Sequence, residues 1–246
     1  MSPFSCAGRR LRSERTRGLL AALTLAIAAV AVLAPLGVSL HAGGPEGGRQ
    51  AKPLTPEQKA AFVRAYEAFP KVNVPLDADG AKVLIVKFND YQCPPCRQSF
   101  YDYHQVLAKY VASKQVKFVL KHFPLERECN AAVGGDLHLA SCEAAAAVVM
   151  AQRKGTSDKL EEWLFANQAA LNPESVKRAA AEVAGVTDFD AQYARALTLV
   201  KTDAGMGALL GAKSTPTFVI NGRLIAGALP PELFEAAIQY ELQRQP

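Results

Sequence analysis

The chain has 246 residues, half of them hydrophobic, and carries 28 basic and 23 acidic side chains. This length and composition suit one folded domain with additional segments, and they exclude a chain too polar to form a core. Five arginines and one acid fall within residues 1–17, so the rest of the chain holds 23 basic and 22 acidic groups. A near-neutral domain lacks a broad basic surface, which argues against binding to nucleic acid.

An uncharged apolar segment of 23 residues, residues 18–40, follows the basic tail of residues 1–17. As a helix rising about 1.5 Å per residue, it would span roughly 35 Å and cross a bilayer core. Arginines before it predict that the tail stays in the cytoplasm of a bacterium and that the rest reaches the periplasm or the cell exterior. The length favours an uncleaved transmembrane anchor, and a cleaved signal peptide is the alternative because its apolar core has about 7–15 residues.

Residues 41–54 are rich in glycine and proline and predict a linker between the membrane and a folded domain, residues 55–246. Cys6 lies on the cytoplasmic side and receives no role. Because disulfides persist outside the cytoplasm, the four cysteines of the exported part are expected to form pairs. These cysteines are Cys93, Cys96, Cys129 and Cys142.

The exported part opens with a helix that Thr55 caps and Pro70 ends. The patterns that follow predict these elements: a short strand at 71–76, a turn at 77–80, a core strand at 82–88, a helix from 94 to about 111 and a second strand at 115–123. The order strand, helix, strand implies a parallel pair of strands joined by a right-handed crossover.

An alanine-rich stretch at about 131–210 then predicts an all-α insertion of three or four helices. After it, Asn221 and Gly222 separate two apolar runs, which is the strongest short signal for a β-hairpin. A final amphipathic helix begins near Pro230. The predicted class is therefore α/β, with the order βαβ, helical insertion, ββα.

Cys93 and Cys96 stand two residues apart where the first core strand meets a helix. The N-terminus of a helix stabilises negative charge, so Cys93 is expected to be an exposed, acidic nucleophile and Cys96 a more buried partner. Pro94 and Pro95 suit the first helical turn because they lack N–H groups that would have no partner there. Such a pair can close a disulfide and reopen it.

Two metal-binding alternatives use the same cysteine pair. A zinc site would need ligands from a set that does not have the spacing of a second knuckle: Cys129, Cys142, His122 and His138. A Cu(I) carrier would commonly add methionines or histidines, yet none of the chain's three methionines is near Cys93 in sequence. We therefore predict no metal, and no cofactor other than the redox-active disulfide itself.

Three segments carry a resemblance to a known family: Phe-Asn-Asp-Tyr-Gln-Cys-Pro-Pro-Cys at 88–96, Lys-His-Phe-Pro-Leu at 121–125 and Ser-Thr-Pro-Thr-Phe-Val-Ile-Asn-Gly at 214–222. Together with the layout, they resemble the thioredoxin fold over about residues 71–242. The insertion is similar to that of the DsbA-like branch of exported disulfide oxidoreductases. Within that branch the chain most resembles membrane-tethered proteins that work with vitamin K epoxide reductase-like quinone reductases.

The resemblance implies an enzyme that donates the Cys93–Cys96 disulfide to unfolded or reduced exported proteins through a mixed disulfide. A membrane quinone reductase would reoxidise it, and the same chemistry run in reverse, as a reductase or isomerase, is the alternative. The resemblance also implies that Pro216 is cis beside the cysteines and that Thr215 offers backbone groups to an extended substrate strand.

Lys87 departs from the family pattern, in which a buried acid commonly stands six residues before the nucleophile. A cation beneath the disulfide would lower the pKa of the thiol and make the protein more oxidising. Alternatively, Lys87 reaches solvent or pairs with an acid such as Glu126. Cys129 and Cys142 are expected to form a structural disulfide in the exported domain, the alternative being a second, exchanging pair.

Overall fold

The structure is a computed structural model that describes residues 48–49 and 51–244. The predicted tail and anchor, residues 1–40, lie outside the described residues, and in the described part no helix is long and apolar enough to cross a membrane. The helices are α1 (Pro56–Glu67), α2 (Pro94–Ala112), α3 (Ser141–Gln152), α4 (Ser157–Ala166), α5 (Pro173–Ala184), α6 (Phe189–Leu209) and α7 (Pro231–Gln243). The strands are β1 (Val83–Asn89), β2 (Val116–His122), β3 (Thr217–Ile220) and β4 (Arg223–Ala226).

The strands form one mixed sheet in the order β2-β1-β3-β4. β1 runs parallel to β2 and antiparallel to β3, and α2 supplies the crossover that a parallel pair requires. Every residue of β1 is buried, as expected of a central strand. The predicted α/β class and its element order are therefore confirmed. β1 is an inner strand, so its carboxyl end, which leads into the cysteine pair, lies between the neighbouring strands β2 and β3.

Local sequence signals explain where the elements begin and turn. Thr55 and Gln58 form a reciprocal capping box at the start of α1. Asn221 and Gly222 adopt positive φ angles of 44° and 83°, as the tight turn between β3 and β4 requires.

The predicted strand at residues 71–76 is wrong. Only Lys71 pairs with the sheet, through an isolated bridge to Arg223. Pro70 and Pro75 lack the N–H groups that a continuous ladder would use, so this segment runs beside the sheet without joining it.

The insertion consists of α3, α4, α5 and α6. Ten of the twelve residues of α3 are buried, because a helix that is apolar on all sides must be enclosed. The other three helices pack around it. The same core contains Tyr91, Cys93 and Cys96, so the insertion packs directly on the cysteine segment.

Helix α6 also lies close against the sheet, and Gly207 makes this approach possible. A Cβ at Gly207 would come within 2.7 Å of the Phe123 ring and 2.9 Å of the Phe88 ring. Any larger side chain would push the helix away from these rings.

Candidate active site

The turn from β1 into α2 places Cys93 and Cys96 at the two ends of the first helical turn, with their thiols in hydrogen-bond contact. Cys93 is the N-cap of α2, and its carbonyl accepts the Cys96 N–H at 3.0 Å. Pro94 and Pro95 follow the cap and are exposed. Both cysteines are free thiols, so the structure represents the reduced form.

Cys93 is more enclosed than the sequence suggests. The expectation that it is exposed is wrong, because only 4% of the residue is accessible. The Gln168 amide covers one side by donating to the carbonyls of Tyr91 and Cys93 at 2.7 and 3.0 Å. On another side the Cys93 Sγ donates to the Thr215 carbonyl at 3.1 Å. A partner's sulfur must therefore enter through a narrow opening.

The two thiols have very different acidities. A hydrogen bond from the Cys96 thiol, followed by contributions from the Thr215 side chain and the Cys96 backbone N–H, lowers the pKa of Cys93 to about 6 despite its burial. Burial raises the pKa of Cys96 well above 9, and the hydrogen bond to Cys93 adds to this effect. At neutral pH Cys93 is the thiolate and Cys96 keeps its proton.

The loop that precedes β3 completes this corner of the site. The Thr215–Pro216 peptide bond is cis, and it lies beside the cysteines, as the Cys93–Thr215 contact shows across 122 positions of sequence. The fold thus brings together the catalytic pair and both residues predicted to position a substrate.

Lys87 lies beneath the cysteines on β1 and is only 3% exposed. Its Nζ donates to the Cys96 carbonyl at 3.3 Å and lies 5.6 Å from the centre of the Phe165 ring. Burial lowers the pKa of Lys87, while electrostatic interactions with Cys96 and Glu161 in their ionised forms oppose that shift. The alternative in which Lys87 reaches solvent is therefore wrong, and the acid that acts on Lys87 is Glu161 and not Glu126.

The acid beside Lys87 is Glu161, which the sequence analysis missed. Glu161 stands one turn before Phe165 on α4, and its carboxylate faces the Tyr91 hydroxyl. Burial raises the pKa of Glu161 to about 7, against the opposing effect of Lys87. The spacing of four between Glu161 and Phe165 was a signal that both belong to one helix face, but it did not indicate which face met the cysteines.

Asp90 is a second residue that the sequence analysis missed. Its buried carboxylate accepts the Gln92 N–H and the Leu125 N–H, both at 2.7 Å, and the Ser141 hydroxyl at 2.6 Å. The fourth contact is His138 Nδ1 at 2.8 Å. One side chain thus connects the cysteine segment, the end of β2 and the start of the insertion. No motif marks it, because its partners are scattered along the chain.

Cys129 and Cys142 are joined by an S–S bond of 2.04 Å. Both are buried, and the bridge ties the loop after β2 to the first turn of α3. Glu126 accepts the Cys142 N–H at 2.9 Å and so helps to cap that helix. The bond uses two of the four side chains from which a zinc site would have drawn its ligands.

Within the described residues, one group of three side chains could in principle hold a metal: Glu126, Glu128 and Cys142. The Cys142 sulfur is already bonded to Cys129, so it has no thiolate to offer.

Comparison with known proteins agrees with this geometry. The family model described as thioredoxin matches residues 78–240. A curated relative, the Na(+)/H(+) antiporter NhaA 3 of Salinispora tropica, is 28% identical over 202 residues, covering 77% of this chain and 29% of that protein. The chain therefore spans less than a third of the length of the curated relatives that it matches.

Two solved structures share the fold. A periplasmic thioredoxin-like protein from Salmonella enterica serovar Typhimurium is 24% identical, with a TM-score of 0.52 over 78% of this chain and 99% of that one. The α-DsbA1 protein of Wolbachia pipientis is 16% identical, with a TM-score of 0.57 over 70% of this chain and 94% of that one. At these identities the likeness shows that the fold is shared.

Proposed function

The chain belongs to the thioredoxin family, and from that membership we propose that it is an exported thiol–disulfide oxidoreductase that oxidises reduced client proteins. The observation that carries this proposal is the unequal acidity of its two thiols beside the cis Thr215–Pro216 bond. Thiol–disulfide exchange requires one sulfur that is readily attacked and released and a second, sheltered sulfur that completes the exchange.

The reaction begins with the Cys93–Cys96 disulfide. A client thiolate attacks the Cys93 sulfur, the bond to Cys96 breaks, and Cys96 leaves as a thiolate that takes up a proton. A second client thiolate then attacks the client sulfur of this mixed disulfide and releases Cys93 as a thiolate. The client gains one disulfide by losing two electrons, and the protein gains two thiols.

The low pKa of Cys93 favours this direction. A stable thiolate is a good leaving group in the second step, and it stabilises the reduced form of the protein relative to its disulfide. Lys87 supports the same direction because its charge lowers the pKa of Cys96. Export is supported by the bonded Cys129–Cys142 pair, since such bridges are rare in the cytoplasm.

The direction is tested by equilibrating the full-length chain with glutathione buffers and counting free thiols with an alkylating mass tag. We expect the reduction potential of the Cys93–Cys96 pair to lie above about −200 mV, as it does in thiol–disulfide oxidoreductases that oxidise their substrates. A potential near −270 mV, which is typical of thioredoxin, would make the protein a reductase and contradict the proposal.

Residues 18–40 would hold the domain near a membrane quinone reductase that restores the disulfide, at a high local concentration. Support comes from the uncharged 23-residue length of that segment and the arginines before it. The test follows reoxidation of the reduced full-length chain in bacterial membranes with and without an added quinone. An unchanged rate would contradict a quinone-coupled partner.

A further inference from the structure

The buried carboxylate of Asp90 lies beside both cysteines. The Asp90 carbonyl accepts the Cys93 N–H at 3.3 Å, and the Asp90 N–H donates to the Cys96 sulfur at 3.5 Å. The hydrogen bond from Cys96 does most to lower the pKa of Cys93, whereas burial and then the charge of Asp90 act in the opposite direction. A negative charge at this position therefore opposes the thiolate on which the exchange reaction depends.

The contacts of the Asp90 carboxylate require it to be ionised. Three of its four partners are hydrogen-bond donors, namely the N–H groups of Gln92 and Leu125 and the hydroxyl of Ser141. A carboxylate accepts at about four lone-pair positions, so the remaining one meets Nδ1 of His138 as an acceptor. The hydrogen-bond network thus assigns a proton to Nδ1. The proton that His138 gains or loses is the one on Nε2.

His138 places a titratable positive charge on this carboxylate. Its Nδ1 lies 2.8 Å from the Asp90 carboxylate, and 14% of its side chain is accessible, so a proton can exchange with solvent. The hydrogen bond to Asp90 does most to raise the pKa of His138, burial opposes it, and Cys93 and Glu126 raise it further. These ionisable groups come from the turn before α2, the cap of α2 and the loop that carries His138. All three favour the protonated imidazole.

The segment between the two cysteines carries no charge of its own. Pro94 and Pro95 have no polar side chain, so a positive charge that acts on Cys93 has to come from elsewhere in the fold. The Lys87 Nζ contacts the carbonyl of the second cysteine at 3.3 Å. The pKa of His138, in contrast, responds to the first cysteine.

We propose that His138 is a positioning residue for the nucleophile, because its imidazolium neutralises Asp90 and so favours the ionised sulfur of Cys93. This inference rests on the function proposed above and specifies what regulates its oxidising strength. Since coupling between two sites is reciprocal, the thiolate and the imidazolium stabilise each other to the same extent. When two electrons reduce the disulfide, Cys96 takes up one proton, and His138 takes up part of another because a thiolate has appeared near it.

The effect is confined to a window of pH. Below the Cys93 pKa of about 6, this cysteine carries its own proton, and there is no thiolate to stabilise. Above the raised folded-state pKa of His138, the imidazolium is lost. Between these two values His138 favours the reduced form and makes the protein more oxidising.

The test measures the equilibrium of the full-length chain with glutathione at pH 5, 6.5 and 9, in the wild type and in His138→Asn. Asparagine keeps a donor near the position of Nδ1 but carries no charge. Comparing the two proteins at one pH removes the titration of glutathione itself. We expect the equilibrium constant for reduction of the Cys93–Cys96 disulfide to be about threefold larger in the wild type at pH 6.5 and nearly equal at pH 5 and pH 9.

Three further variants sharpen the comparison. His138→Lys keeps a positive charge at pH 9, so there it should be more oxidising than the wild type. His104→Asn is the matched control, because His104 is exposed on α2, and it should equal the wild type at all three pH values. His138→Gln provides a second uncharged variant, and urea unfolding identifies the variants that fold.

Two results would overturn the inference. A difference by the same factor at all three pH values would mean that His138 only holds its loop in place. Equal constants at pH 6.5 for the wild type and the uncharged variants would exclude any influence on the thiolate. A wild-type potential in the range of thioredoxin would instead contradict the proposed function, while the ratio between wild type and variant would still decide the role of His138.

Discussion

Cys93 owes its acidity to neighbours within one helical turn as much as to the helix terminus. The largest influence on its pKa is the hydrogen bond from the Cys96 thiol, followed, after the opposing effect of burial, by Thr215. The nucleophile and its partner are thus chemically coupled before any disulfide forms, and each thiol sets the protonation of the other.

Replacing Cys96 should therefore weaken the acidity of Cys93. We expect Cys96→Ala to raise the pKa of Cys93 from about 6, and Cys96→Ser, which keeps a donor, to raise it less. The measurement is thiolate absorbance in the ultraviolet as a function of pH. Equal pKa values in the two variants would contradict a role for the hydrogen bond.

Lys87 should influence both thiols, with the larger effect on Cys96. The Lys87 Nζ donates a hydrogen bond to the Cys96 carbonyl. Of the two cysteines, Cys96 also has the larger effect in raising the pKa of Lys87. Lys87→Met is expected to raise the pKa of both thiols and to make the protein less oxidising.

Glutathione equilibria and thiolate titration measure these changes. Lys117→Met is the control, because Lys117 pairs with Asp79 and lies opposite Leu84 near the start of β1, away from the cysteines. An unchanged titration in Lys87→Met would refute the expectation that this lysine tunes the site.

At the scale of elements, α6 contains two glycines that should respond in opposite ways to alanine. A Cβ at Gly207 would clash with the Phe88 and Phe123 rings, whereas nothing lies within 4 Å of a Cβ at Gly205. We expect Gly207→Ala to cost about 1–3 kcal/mol of unfolding free energy and Gly205→Ala to add about 0.5–1 kcal/mol. Urea unfolding gives both values, and a stabilised Gly207→Ala would show that α6 does not pack as described.

The loop between β2 and α3 should contribute stability that depends on pH. Asp90 chiefly raises the pKa of His138, with smaller contributions from Cys93 and Glu126, while burial opposes them. A histidine whose pKa is higher in the folded state than in the unfolded state stabilises the folded protein when it is protonated. This contribution is complete at pH values below the unfolded-state pKa of 6.5, and it is lost as the pH rises through the folded-state pKa.

The loss of stability caused by His138→Gln should therefore be larger at pH 5 than at pH 8.5. Urea unfolding at the two pH values measures the difference. His104→Gln is the control, since His104 is exposed on α2. A penalty that is equal at both pH values would exclude a charged His138–Asp90 pair.

At the scale of the whole molecule, the Cys129–Cys142 bridge restricts the unfolded chain. The two cysteines are 13 positions apart, and closing a loop of that size is worth about 3 kcal/mol. The C129A/C142A variant should lose about this much unfolding free energy in urea. Cys93→Ala is the control, since it leaves this bridge in place, and a loss below about 1 kcal/mol in C129A/C142A would contradict the estimate.

Much of the architecture could be predicted because its signals are local. The Asn221–Gly222 turn and the Thr55 cap each depend on a few adjacent residues. The enclosure of Cys93 and the partners of Asp90 could not be predicted, because they involve side chains from distant segments such as Gln168 and His138. Periodicity showed that the insertion is helical but not which of its faces meets the cysteines.

Folding itself controls when Cys93 becomes reactive. With the ordinary pKa of 9.0 about 1% of this thiol is ionised at pH 7, and with the folded value of about 6 roughly 90% is ionised. Thr215, which contributes to this shift, lies 122 positions later, so part of the acidity of Cys93 depends on the last eighth of the chain. Until that part of the chain has folded against the cysteine segment, Cys93 is less ionised and therefore reacts more slowly with the other cysteines of its own chain.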